Sequence, residues 1–187
     1  MTELLLNRFQ SWENVDKLIR PHEIKLVVPF YQIRSDISKR MIVLFLSELL
    51  HKSIREPNPD KSMFVFIENA LNYLEYTTES VANFHIVFLM ELSRYLGFYP
   101  QMKYGIYFDL REGIFMDEVP SGNLYLQGDQ KDIFYNLLGI KIDGAHSLKL
   151  TGKERKLVLD SLIQYYQVHV SGLMNLKSQT VLETIFL

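Results

Sequence analysis

The chain has 187 residues, 48% of them hydrophobic and 22% charged, with a formal net charge of -2 and a pI near 6.2. That length suits one sizeable domain, and the slightly acidic balance excludes nucleic-acid binding by bulk charge, leaving only a local basic patch for such contact. There is no cysteine, which removes disulfides, thiol catalysis and cysteine-ligated zinc together.

The longest apolar run, Met41 to Leu46, falls far short of the roughly 20 residues of a membrane span. The opening MTELLLNRFQ carries Glu3 and too short an apolar stretch for a signal peptide. A cytoplasmic location without membrane attachment is expected. In chain order, residues 1–34 read as a β fragment, with short strands at Glu3 to Phe9 and His22 to Phe30, where Ile24, Val27 and Val28 are β-branched. Pro29 suits only a strand edge or end.

From residue 35 the period becomes helical. Ser35 and Asp36 offer N-caps to a helix reaching about Arg55. It is apolar on nearly every side between Met41 and Leu50, as a central bundle helix must be. Pro57-Asn58-Pro59 stops it. A second helix, Lys61 to Tyr76, carries Phe64, Ile67, Leu71 and Leu74 on one stripe, and a third runs from about Ser80 to Leu96, closed by Gly97. Alternation at Gly105 to Leu110 and Gly113 to Val119 predicts a hairpin turning at Arg111-Glu112. A fourth helix follows over Gln130 to Leu138, with Asp129 as its cap and Gly139 as its stop. Thr151 and Glu154 have capping-box spacing and open a fifth, to about His169; a last short helix begins at Ser178. The expected architecture is mainly α: about six helices with an inserted β-hairpin, residues 35–187 forming the helical domain.

Catalytic signals are thin. The glycines sit at caps and turns and form no phosphate loop. The five histidines show no i, i+4 pairing for a metal. Asp109, Glu112, Asp117 and Glu118 gather at the hairpin, where carboxylates can serve acid–base chemistry but are commonly just solvated. No enzymatic activity and no cofactor are expected. Two basic groups stand out: Arg34, Lys39 and Arg40 near the first long helix, and Lys149, Lys153, Arg155 and Lys156 at the start of the fifth. Such cations oppose the helix dipole, so they point to phosphate or acidic-peptide contact, against the plainer reading of a solvated face. Tyr73, Tyr76, Tyr95, Phe98 and Tyr99 belong either to a binding pocket or to the core.

Three segments together resemble the RecO family of bacterial recombinational repair proteins. They are MIVLFLSELL (Met41 to Leu50), FHIVFLMELSRYLGFYP (Phe84 to Pro100, with the family's L-G-[FY]-x-P turn) and HVSGLMNLKSQTVL (His169 to Leu182, with its H-x-x-G and L-K-S). Tyr107-Phe108-Asp109-Leu110 followed by Gly113 is similar to the hairpin of Bacteroidetes-type members. Two departures accompany the likeness. Many members bind zinc through four cysteines after the L-G-[FY]-x-P turn, which this chain lacks, and residues 1–34 are too few for the five strands of the family's N-terminal OB-fold. The resemblance implies a non-enzymatic mediator of the RecF pathway, acting in the nucleoid. Such a mediator binds the acidic, hydrophobic tail of single-stranded DNA-binding protein, pairs with RecR, anneals strands and assists RecA loading, with weak single- or double-stranded DNA contact. An apolar pocket rimmed by cations is then expected around Arg94, Lys153, Arg155, Lys156 and Lys177, with Arg34, Lys39 and Arg40 as further contacts. The competing expectations are a helical interaction domain with no DNA role and an unrecognised hydrolase.

Overall fold

Asp36 ends one helix and begins the next. In the computed structural model, which describes residues 29–54, 60–173 and 176–186, α1 (Tyr31–Ser35) stops at Asp36 and α2 (Ile37–Ser53) starts there. The Asp36 carboxylate accepts from the backbone N–H of Ser38 and Lys39, satisfying two donors that the first turn leaves open. The helical reading therefore extends back to Tyr31, into what the sequence suggested was β. The two expected strands lie outside the described residues except for Pro29 and Phe30, and neither of these is in a strand.

The remaining helices are α3 (Lys61–Tyr76), α4 (Phe84–Tyr95), α5 (Gly128–Asn136), α6 (Gly152–His169) and α7 (Lys177–Phe186), with a 3-10 turn over Ile142–Ser147 between α5 and α6. Every residue of α4 from Phe84 to Ser93 is buried, which makes α4 the axis of the bundle. Its sequence goes most of the way to explain this: seven of those ten residues are apolar, and His85, Glu91 and Ser93 are carried inside with them. The predicted stripe of α3 is real, with Met63, Ile67, Ala70, Leu71 and Leu74 buried and Phe64 half-buried. The capping box of Thr151 and Glu154 is complete in both directions. At α5 the cap position falls on Gln127, and Asp129 sits inside the first turn.

The inserted β element is larger than a hairpin. β1 (Tyr107–Asp109) pairs antiparallel with β2 (Ile114–Met116) and also with β3 (Tyr125–Gln127), in the order β2-β1-β3. Phe115, Phe108 and Leu126 line up across the three strands, all buried. Phe108 packs on Phe134 of α5 at 4.7 Å and on Tyr165 of α6 at 5.4 Å between ring centroids. Asp109 belongs to the turn, accepting from the backbone N–H of Arg111 and Glu112.

Packing and close approach hold this segment together. Gln101 N–H donates to the Gly113 carbonyl at 3.2 Å, so the preceding loop runs beside β2. A Cβ on Gly105 would strike the Met116 backbone, with its Cα only 2.8 Å away. The L-G-[FY]-x-P turn and the H-x-x-G segment meet in space: Phe98 stacks on His169 at 4.9 Å, and His169 Nε2 lies 2.9 Å from the Leu110 carbonyl.

Candidate functional site

The cations singled out by sequence separate into four places. At the α1–α2 corner, Arg34 and Arg40 are exposed, and the Arg40 guanidinium donates to the Arg34 carbonyl at 3.1 Å. Lys39 does not join them outside. It is buried, and its ammonium donates to the carbonyls of Glu75 (3.1 Å) and Thr77 (2.9 Å), closing the C-terminal end of α3. Glu75 in turn accepts from the N–H of Gln32 and Ile33 and so caps α1. A lysine with its charge spent this way is a structural tie.

At the start of α6, Lys153 and Lys156 are exposed and Arg155 is half-buried, and the last two have their charges engaged. Arg155 donates to Asn83 Oδ1 (2.9 Å), the Phe186 carbonyl (2.6 Å) and the Leu150 carbonyl (3.0 Å). Lys156 bridges Glu183 at 2.9 Å and Asp160 at 3.5 Å, which raises its pKa, chiefly through the hydrogen bond to Glu183. These two cations clamp α7 to α6.

Lys177 stands at the opposite end of α7. Its side chain is exposed, and its backbone N–H donates to Glu48 of α2. Ser178 donates to the same carboxylate from both N–H (2.8 Å) and Oγ (2.6 Å). Burial acts to raise the Glu48 pKa, but the bonds from Ser178, Lys52 and Lys177 outweigh it and hold the group at about 2.

Arg94, the fourth place, lies beside an open groove. Its guanidinium sits 3.5 Å over the Tyr99 ring and 3.3 Å from Glu91. Glu91 is buried and also meets Lys141 at 2.7 Å, so one buried carboxylate is held between two cations. The groove runs between α3, α4 and the 3-10 turn and encloses about 840 Å³, within the range of small-ligand and peptide sites. Val65, Phe66, Tyr73, Tyr95 and Ile142 give it apolar walls; Lys61 and Lys141 stand at its edges. Three acids line it as well: Asp60 caps α3 through Ser62 and Met63, Glu91 is paired, and Asp143 stands exposed in the 3-10 turn. Sequence reading found Tyr73 and Tyr95 as aromatic candidates, yet missed Lys61 and Lys141, which stand apart from any basic run.

The remaining aromatic candidates divide. Phe98 packs among Tyr165, Tyr166 and His169, whereas Tyr76 is 71% exposed. Among the described residues no group of three or more His, Asp or Glu is placed to hold a metal, and no helix is long and apolar enough to cross a membrane.

The described residues thus form a helical domain with an apolar groove bordered by Lys61 and Lys141 and with exposed cations at its corners. Residues 34–180 match the family model for the C-terminal region of recombination protein O. The chain is 38% identical over 166 residues to the DNA repair protein RecO of Flavobacterium johnsoniae, covering 88% of this chain and 68% of that one. It is 35% identical over 176 residues to RecO of Flavobacterium psychrophilum (93% and 73%) and 34% identical over 173 residues to RecO of Bacteroides fragilis (90% and 72%). The chain belongs to the RecO family of DNA repair proteins. No solved structure gives a significant match. Membership sets aside the reading of a helical domain unrelated to repair.

Proposed function

We propose that this chain acts as a recombinational mediator by holding protein partners, and that it receives the acidic, hydrophobic tail of single-stranded DNA-binding protein in the groove between α3 and α4. The observation that carries this reading is the pairing of an apolar trough with Lys61 and Lys141 at its edges. Aromatic and branched side chains of a tail would fill the trough, and its carboxylates would meet the lysines. Arg94 belongs to this site through Glu91. Lys153, Lys177, Arg34 and Arg40 remain as exposed cations for RecR or for weak contact with DNA phosphates, in support of strand annealing and RecA loading. Lys39 and Arg155 are set aside because they are turned into the fold onto backbone carbonyls, whereas Lys141 and Lys156 are exposed and each reaches a partner only by sharing the carboxylate it already bridges.

Fluorescence anisotropy of a labelled tail peptide, with salt varied, tests the site. Micromolar binding that weakens at least tenfold in Lys61→Glu and survives in Lys153→Glu supports the groove. Equal loss in the two variants would show that general charge, and not the groove, does the binding. A labelled oligonucleotide run in parallel should bind weakly and with steep salt dependence.

A further inference from the structure

The two lysines at the edges of the groove are not equal. Lys141 holds its ammonium 2.7 Å from Glu91 Oε2, while Arg94 reaches Glu91 Oε1 at 3.3 Å. Lys61, also exposed, bridges no carboxylate among the described residues. Glu91 belongs to the axial helix and lines the groove with a side chain only 6% exposed, whereas that of Lys141 is 62% exposed. A carboxylate this buried binds its cations firmly, since little water screens the attraction. Arg94 is also held over the Tyr99 ring, and Tyr99 Oη accepts from the Gly139 N–H at 2.8 Å, two residues before Lys141. Both cations on Glu91 are therefore tied to one small framework. Around the groove stand Lys61, Lys141 and Arg94 on one side of the account and Asp60, Glu91 and Asp143 on the other, so its charges balance.

We propose, resting on the tail-binding reading above, that Glu91 sets the selectivity of the groove. It is a built-in rival for the carboxylates of the tail, and it makes the groove choose its peptide by apolar side chains over charge. A tail carboxylate that approaches Lys141 is drawn by the ammonium and repelled by the Glu91 carboxylate 2.7 Å from it, so the two effects largely offset each other. The net pull on an acidic peptide then comes from Lys61. Phe66, Tyr73, Tyr95 and Ile142 favour only a peptide that has apolar side chains to bury. A merely acidic segment gains little. Neutralising Glu91 leaves Lys141 and Arg94 unopposed, which strengthens charge-driven binding and its dependence on salt.

Anisotropy titrations of the full chain with two labelled probes test it. One probe is the tail peptide; the other is the same peptide with its aromatic and branched residues changed to alanine and its carboxylates kept. Glu91→Gln should bind the tail at least threefold more tightly and the alanine probe at least tenfold more tightly, with a steeper loss in salt. A damaged fold does not raise affinity, so the gain separates this role from a structural one. Adding Lys141→Met should cancel the gain, and Lys141→Met alone should cost less than threefold. Equal or weaker tail binding by a folded Glu91→Gln chain overturns the proposal. Should Glu91→Gln fail to fold, Lys141→Met decides, since a loss of threefold or more would show that the lysine's charge was never offset. Tail binding that Lys61→Glu removes and Glu91→Gln does not improve overturns this proposal alone and leaves the groove as the tail site. No tail binding by any of these chains overturns both.

Discussion

At the residue scale the most consequential side chain is His85. Burial, with the Arg155 charge nearby, pushes its pKa down to about 3. As pH falls below the ordinary value of 6.5, the unfolded chain takes up this proton before the folded one does. Stability is therefore lost from about pH 6.5 down to 3, at up to about 1.4 kcal/mol per pH unit for this one group. His85→Leu should flatten that slope in urea denaturation at pH 7.5, 5.5 and 4.5. It should also leave stability at pH 7.5 equal or higher by about 1 kcal/mol, since two unpartnered nitrogens are removed. An unchanged slope would assign the acid sensitivity to other groups. Sequence could not mark this histidine: nothing in FHIVFLMEL says whether it is bonded, exposed or stranded.

At the scale of elements, two helices are capped by carboxylates from elsewhere in the chain. Glu75 holds the N-terminal end of α1 and Glu48 that of α7. Both lay unnoticed in helical runs, because a cap borrowed across 130 residues leaves no local pattern. The local caps, Asp36 and the Thr151–Glu154 box, were readable because partner and acceptor are near neighbours. β3 was missed for a related reason: three residues with one buried side chain, Leu126, are too short for alternation to register. Glu48→Ala should cost about 1–2 kcal/mol, as for loss of a good N-cap. The Glu48 pKa is depressed, so its contribution is full above about pH 4.5 and is lost as pH falls toward 2; a denaturation series across that range should show the mutant converging on the parent. Lys39→Ala should cost on the order of 2 kcal/mol by stranding the Glu75 and Thr77 carbonyls. A smaller effect in thermal melting would mean that water replaces the ammonium there.

For the whole molecule, the helical bundle and the family were legible because apolar periodicity and motif order are properties of long stretches. The site was legible only in part. The sequence named the cations but could not tell that Arg155 and Lys156 point at α7 while the isolated Lys61 and Lys141 border a groove. The β insert is held by Phe108, Phe115 and Phe134 and by the Gly105–Met116 approach. Chelators should therefore leave the melting temperature unchanged, and Gly105→Ala should lower it by several degrees. The link from Glu48 to Ser178 has one more consequence, for synthesis on the ribosome. The α2 carboxylate leaves the exit tunnel long before Ser178 does. Translation proceeds at about 5–20 residues per second, so for several seconds of every round of synthesis the apolar flank of α2 has no α7 to cover it. In that interval nascent chains on one message are most exposed to sticking to one another or to being taken up by a chaperone.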